Sequence, residues 1–324
     1  MKNILITGIT GQDGIFLTSE ILKEQQEYNI FGITRNPNNQ CFFNNLNSIS
    51  NIDKTKIKLL SLDLTNSEKV NELIKEIRPS FVYNLSGPSS VYESLISPNK
   101  TSQTITNIFD NLTNSLIRES LFSNFFQASS SEMYGIEIDK PLSESHSFSP
   151  KSPYAKAKFV NHKKVIELSK DYNWKIFSGI MFNHESEFRK NEYLFMKIIN
   201  EAIKIKGNKS DKLVLGSLDY VRDWSYAKDI SKGIYKIANE GKASSYVLGS
   251  GRGRKIQNIV EIVFDYFNLN VDKYVTIDKS LIREGDPTKI IANPSRIKED
   301  LNWSTEVDFE DFIRICINSR LDSL

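Results

Sequence analysis

A chain that runs from Lys-Asn-Ile-Leu-Ile-Thr straight into Gly8-Ile-Thr-Gly11-Gln-Asp-Gly14 has few folds open to it. The six residues before Gly8 are a β-prone run, and the apolar spacing over 15–23 is that of a helix. A sharp turn from strand to helix needs glycine where the backbone bends, where it approaches a partner closely, and where helix meets sheet. Such a turn leaves N–H groups unpaired at the helix start, where the helix dipole also favours negative charge. Gly8, Thr10, Gly11, Gln12, Asp13 and Gly14 are therefore the candidate residues for holding a pyrophosphate.

The same rhythm continues. NIFGIT, IKLLSLDL, PSFVYNLS and NFFQASSS are strand-like runs separated by longer helical patterns, and a helix over 152–172 leads to the strand WKIFSGIMF. Alternation of this kind predicts an α/β fold, a Rossmann-type parallel sheet with helices on both faces, with its ligands at the carboxyl ends of the strands. After residue 182 the pattern loosens into a smaller C-terminal substrate-binding lobe. There NEYLFMKIINEAIKIK, RDWSYAKDISKGIYKIAN, KIQNIVEIVFDYF and DFEDFIRICINSR read as helices, and LVLGSL and SSYVLGSG as short strands. The expected division is 1–182 plus about 224–249 for the sheet domain, and about 183–223 plus 250–324 for the lobe. Residues 36–55 are rich in asparagine and read as an exposed loop.

Composition narrows the function. Forty-two basic and 40 acidic residues leave a formal charge of +2, too little for the positive field that nucleic acid or an anionic membrane requires. An anionic ligand must be met by local groups. The start is too short for a secretory apolar region and no later stretch reaches the length of a membrane span, so the expectation is a cytoplasmic protein without a membrane partner. Cys41 and Cys316 have no metal-type spacing, and no metal is expected.

Two further features carry chemistry. The second strand ends in Thr34-Arg35, where a free adenosine 2′-hydroxyl would call for Asp or Glu and a 2′-phosphate for arginine, so NADP is favoured over NAD. Leu85-Ser86-Gly87 closes the fourth strand beside the expected pyrophosphate and ribose. Tyr154 and Lys158 stand one helical turn apart on one face, and an ammonium beside a phenol favours the phenolate. Tyr193 and Lys197 have the same spacing. What sets the first pair apart is its company: Ser152-Pro153 at a helix start, and Ala128-Ser-Ser-Ser-Glu132 at a strand end.

The turn's GxxGxxG spacing resembles that of short-chain dehydrogenases/reductases, and GITGQDG, FQASSSEMYG, FSPKSPYAKAK, GIMFNHES and LGSLDYVRDWSYAKD together resemble GDP-mannose 4,6-dehydratases, in the same order along nearly the whole chain. The resemblance implies Ser130, Glu132, Tyr154 and Lys158 as the catalytic set, with serine where the family usually has threonine. It implies that Asp63 and Leu64 meet the adenine end of NADP, and that His184 and Arg189 touch the cofactor. Ser94, Ser130, Glu132, Asn183, Lys197, Arg222, Arg283 and Asp286 are the implied nucleotide-sugar residues. Glu132 is the discriminating one, since removing a C5 proton and expelling a C6 hydroxyl needs an acid/base group that simple hydride transfer does not. The expected substrate is GDP-mannose, and the resemblance implies a homodimer or homotetramer built on helices near 104–119 and 155–171. Ser86-Gly87-Pro88 stands where Ala-Ala-Gln is usual, Asn36 follows Arg35 where a second Arg is usual, and Glu187-Phe188 interrupts a Pro-Arg pair. A related GDP-sugar such as a GDP-heptose, a nucleotide-sugar reductase or epimerase, and an NADP-binding regulator are the alternative readings.

Overall fold

The computed structural model describes residues 2–23, 28–50, 53–135, 140–282 and 285–322. In chain order the elements are β1 (Lys2–Thr7), α1 (Gln12–Lys23), β2 (Tyr28–Thr34), α2 (Gln40–Ile49), β3 (Ile57–Ser61), α3 (Ser67–Ile77), β4 (Phe81–Asn84), α4 (Val91–Ile96), α5 (Pro98–Arg118), β5 (Asn124–Ser130), α6 (Pro153–Asp171) and β6 (Ile176–Met181). Then follow β7 (Asn183–Glu185), α7 (Leu194–Lys206), β8 (Leu213–Leu215), β9 (Val221–Tyr226), α8 (Ala227–Glu240), β10 (Ser245–Leu248), β11 (Gly253–Lys255), α9 (Ile256–Tyr266), α10 (Val271–Tyr274), β12 (Val275–Ile277), β13 (Lys289–Ile290), α11 (Ser295–Leu301) and α12 (Phe309–Asp322).

Seven strands form one sheet in the order β10-β6-β5-β4-β1-β2-β3, parallel throughout. The alternation inside β1 explains its two-sided burial. Ile4 and Ile6 pack under Ile15 and Ile21 of α1 and Ile230 and Ile234 of α8, while Leu5 packs on the opposite side with Ile74 of α3, Leu112 of α5 and Val165 of α6. Strand order reverses between β1 and β4. That is the crevice where open α/β sheets bind ligands.

A second core gathers α7, α9 and α12 around Phe195, Ile259, Phe264 and Phe312, with Trp224 and Tyr226 of β9. Strand β9 is the hub of a smaller sheet, parallel to β7 and β13 and antiparallel to β11. Two sequence expectations are corrected here. RDWSY is strand, and the helix begins only at Ala227, because Trp224 and Tyr226 point into the second core with a two-residue repeat. The asparagine-rich stretch contains helix α2, capped by the Asn39 side chain on the Phe42 N–H at 3.0 Å and anchored by buried Phe42 and Leu46, one turn apart. No helix among the described residues is long and apolar enough to cross a membrane.

Candidate active site

The glycine turn has three different reasons for its three glycines. Gly8 has φ of +70°, and a Cβ there would lie 3.0 Å from the Leu85 carbonyl carbon. A Cβ on Gly14 would lie 2.4 Å from the Ile9 carbonyl oxygen, so helix α1 can start against this turn only with glycine. Gly11 is exposed, and a Cβ there would meet nothing of the chain closer than the Gly8 oxygen at 3.4 Å. The fold itself leaves that face open, as a pyrophosphate lying across the turn requires. Leu85 N–H donates to the Thr7 carbonyl at 3.3 Å and Ser86 N–H to Thr7 Oγ1 at 3.2 Å, so the ends of β1 and β4 are tied together; Gly87 has φ of +126°. Thr10 is half-buried in the turn. Arg35 is exposed one residue beyond β2. Asp63 lies two residues past β3, its carboxylate accepting from the Thr65 N–H at 2.9 Å and hydroxyl at 2.7 Å, which holds it below the usual carboxylate range; Leu64 beside it is buried.

Helix α1 brings a buried charge network to the turn. Asp13 Oδ1 lies 3.1 Å from His184 Nε2, and His184 Nδ1 lies 2.7 Å from the Phe182 carbonyl oxygen. An imidazole with an acceptor at both nitrogens is satisfied only as the doubly protonated cation. Burial alone would lower the His184 pKa, but Asp13 outweighs it and raises it; burial likewise opposes ionisation of Asp13, and His184 with Arg189 and Lys158 still holds its carboxyl below the usual range. Glu185 pairs with Arg189 at 3.0 Å. Gln12 completes the link, donating to the His184 carbonyl at 2.9 Å and accepting from Ser186 Oγ at 2.9 Å.

Strand β5 and helix α6 assemble the expected catalytic set. Ser152 caps α6 by accepting from the Ala155 N–H at 3.1 Å, and Pro153 occupies the first turn, which puts Tyr154 at the helix start and Lys158 one turn on. Ser130 Oγ accepts from the Glu132 N–H at 3.2 Å and hydrogen-bonds the Tyr154 phenol. Burial pushes that phenol up to about 12; the Ser130 hydrogen bond opposes the rise and the Glu132 charge adds to it. Lys158 stands one helical turn on from this phenol. Its Nζ is 5.7 Å from the Tyr154 ring centre and donates to the Ala128 carbonyl at 2.8 Å, while burial pushes it down to about 8. The same carbonyl ends a buried chain unseen in the sequence: Thr7 donates to Asn84 at 2.7 Å, Asn84 to Gln127 at 2.7 Å, and Gln127 to Ala128 at 2.9 Å. Strands β1, β4 and β5 are thereby locked at the level of the site.

Glu132 faces a cleft closed by Val91 and Leu95 of α4 on one side and by Asp286 and Pro287 on the other. Asp286 is drawn there by Arg222, whose guanidinium lies 3.5 Å from it. Asn183 is half-buried on β7. Two expected sugar-nucleotide residues are otherwise engaged: Ser94 is fully buried with its hydroxyl on the Val91 carbonyl at 2.6 Å, and Lys197 Nζ donates to the Val214 carbonyl at 2.8 Å. Arg283 lies outside the described residues. The structure adds Tyr193, whose hydroxyl lies 2.7 Å from Ser89 Oγ and whose ring is 3.7 Å from the Arg189 guanidinium carbon. Its only signal in the sequence was the spacing to Lys197, which pointed to a different role.

Residues 5–316 match the family described as GDP-mannose 4,6 dehydratase. The chain is 32% identical over 331 residues to GDP-mannose 4,6 dehydratase 2 of Arabidopsis thaliana, covering 99% of this chain and 87% of that protein. It is 29% identical over 351 residues to the GDP-mannose 4,6-dehydratase of Yersinia enterocolitica, covering 96% and 91%. In fold it is similar to RMD from Pseudomonas aeruginosa complexed with NADPH, with a TM-score of 0.82 at 18% identity over 100% of this chain and 99% of the other. The dTDP-glucose 4,6-dehydratase from Bacillus anthracis in complex with NAD superposes with a TM-score of 0.84 at 19% identity, over 99% and 97%. With the glycine turn, the Ser130–Glu132–Tyr154–Lys158 cluster and the family match running along nearly the same span, the chain belongs to the GDP-mannose 4,6-dehydratase family.

Proposed function

We propose that the chain is an NADP-dependent nucleotide-sugar 4,6-dehydratase, converting GDP-mannose to GDP-4-keto-6-deoxymannose with loss of water. One juxtaposition supports this reading above the rest: Glu132 lines the cleft beside Tyr154, and one serine, Ser130, accepts from the Glu132 backbone N–H and hydrogen-bonds the Tyr154 phenol. A simple reductase, and many an epimerase, of nucleotide sugars has no need of that carboxylate. A dehydratase needs it.

The turn from Gly8 through Thr10, Gly11, Gln12 and Asp13 to Gly14 would hold the cofactor's pyrophosphate, with Leu85, Ser86 and Gly87 alongside. Arg35, exposed beyond β2, would meet the 2′-phosphate, and Asp63 and Leu64 the adenosine. Lys158, His184 and Arg189 would surround the nicotinamide end. When bound, an oxidised nicotinamide supplies what the side chains lack: positive charge beside a phenol that burial disfavours as phenolate, and a temporary acceptor for hydride between C4 and C6.

Tyr154 takes the proton of the sugar 4-hydroxyl, with Ser130 donating to the same oxygen. The resulting 4-ketone acidifies the C5–H bond. Glu132 takes the C5 proton and gives it to the departing C6 hydroxyl, which leaves as water; the hydride that left C4 then returns at C6 while C5 takes the proton held by Tyr154, which leaves the 4-keto-6-deoxy sugar and restores the phenolate. Asn183, Arg222, Arg283 and Asp286 are proposed for the sugar nucleotide side, with the Arg222–Asp286 pair closing the cleft; Lys197 would serve with the ammonium protons left beyond the Val214 carbonyl, and buried Ser94 by shaping α4 beside the cleft. We further read 1–182 plus about 224–249 as the cofactor domain, about 183–223 plus 250–324 as the substrate lobe, and α5 with α6 as the face of a homodimer or homotetramer.

The test is incubation with GDP-mannose and NADP, followed by mass spectrometry. A dehydratase gives a product lighter by one water. An epimerase leaves the mass unchanged, and a reductase adds two hydrogens and consumes reduced cofactor.

A further inference from the structure

The sequence holds a second tyrosine–lysine pair at the spacing of Tyr154 and Lys158, and neither of its members takes part in the proton transfers above. It is not a second catalytic pair. Lys197 spends its ammonium on the Val214 carbonyl. Tyr193 goes its own way. It precedes α7 as its cap residue, and its ring lies against the Arg189 guanidinium, which Glu185 fixes in turn. Held so, the phenol oxygen reaches Ser89 Oγ at 2.7 Å. Ser89 belongs to the segment between β4 and α4, so the contact joins the loop at the carboxyl end of the sheet's central strand to the first helix of the second core. It does so beside the Glu132 cleft, since Ser89 stands two residues before Val91, which lines that cleft.

Two hydroxyls that share one hydrogen bond use one of their two protons. Whichever donates, the other keeps an O–H for a third oxygen. A sugar hydroxyl, donor and acceptor at once, is the group that closes such a triangle. We propose that Tyr193, together with Ser89, is a positioning residue that grips a hexose hydroxyl the reaction leaves unchanged, at C2 or C3. This rests on the dehydratase reading, and it adds a residue that sets which hexose is accepted and how its C4 meets Tyr154.

Tyr193→Phe keeps the ring and its stacking on Arg189 and removes only the hydroxyl. With GDP-mannose, kcat/KM is expected to fall about tenfold through KM, the worth of one hydrogen bond. Tyr154→Phe should fall through kcat. The decisive comparison uses GDP-2-deoxymannose and GDP-3-deoxymannose. For the analogue that lacks the gripped hydroxyl the gap between wild type and Tyr193→Phe closes, and for the other it stays near tenfold. Ser89→Ala, which leaves the stacking untouched, should close its gap on the same analogue. Equal kcat/KM of Tyr193→Phe and wild type on GDP-mannose, or a gap that persists with both analogues, overturns the proposal while leaving the dehydratase reading intact. A wild-type protein that leaves GDP-mannose unconverted overturns both.

Discussion

Replacing Asp13 with Asn removes one charge from the buried pair that ties the glycine turn to the segment after β6, with little change in shape. The two side chains are 19% and 11% exposed and 3.1 Å apart. At an effective dielectric of about 20 such charges attract by roughly 5 kcal/mol. Desolvation offsets part of this, and the orphaned imidazolium can shed its proton, so the net cost should be about 3 kcal/mol near pH 6. The pH window follows from the directions of the two shifts. The raised His184 pKa contributes stability that is complete below its unfolded value of about 6.5 and fades as pH climbs through the folded value. The lowered Asp13 pKa contributes above its unfolded value of about 3.9 and fades as pH falls through the folded value. The penalty of Asp13→Asn is therefore largest between about pH 4 and 6.5 and shrinks toward pH 9. With an unfolding entropy of about 2.1 cal/mol/K per residue, a chain of 324 residues loses roughly 1.5 °C per kcal/mol, and the melting temperature should drop by roughly 4 °C at pH 6. The chain has three histidines, which makes nitrogen-15 titration of the side chains practicable. His184 should titrate above the ordinary histidine range in the wild type and below it in Asp13→Asn, while His162 stays at about 4, where burial pushes it. A His184 resonance that titrates below the ordinary range in the wild type, or that does not move in the variant, refutes the reasoning.

Gly11→Ala should fold with a melting temperature within about 1 °C of wild type, because a methyl meets nothing closer than 3.4 Å, yet bind NADP at least tenfold more weakly by calorimetry. Gly14→Ala drives a methyl to 2.4 Å from a backbone oxygen and should lose about 1–3 kcal/mol or more of stability in denaturant titrations. Arg35→Ala should erase most of a preference for NADP over NAD in the same calorimetry; equal affinities in the unmutated protein would remove the role given to Arg35. Light scattering at micromolar concentration should find at least a dimer.

What could be read from the sequence was local. Gly8, Gly11 and Gly14 each answer a steric demand set within a few residues or by the adjacent strand, and Ser152-Pro153 marks the start of α6 by capping rules alone. Tyr154 and Lys158 follow because one helix carries both. What stayed hidden depends on distant partners. Asp13 meets His184 across 171 positions of chain, and the Thr7–Asn84–Gln127 chain exists only once β1, β4 and β5 lie side by side. RDWSY was misread because its two-residue repeat becomes visible only against the second core, and α2 because its asparagines mask two apolar anchors. Tyr193 is hidden in another way: its spacing to Lys197 gives no hint of the contact with Ser89 that the fold makes 104 positions away.

The central claim is that oxidation at C4 and elimination across C5–C6 use different groups, and Glu132→Gln tests it most directly. The side chains are nearly isosteric, so fold and NADP binding should persist. Formation of the 4-keto-6-deoxy product, followed by mass spectrometry, should fall by about 10²–10⁴-fold, the usual contribution of a positioned acid/base group. Absorbance of reduced nicotinamide should still develop on mixing with GDP-mannose, whereas Tyr154→Phe should give neither signal. Undiminished water loss in Glu132→Gln would contradict the account and leave Glu132 a structural carboxylate.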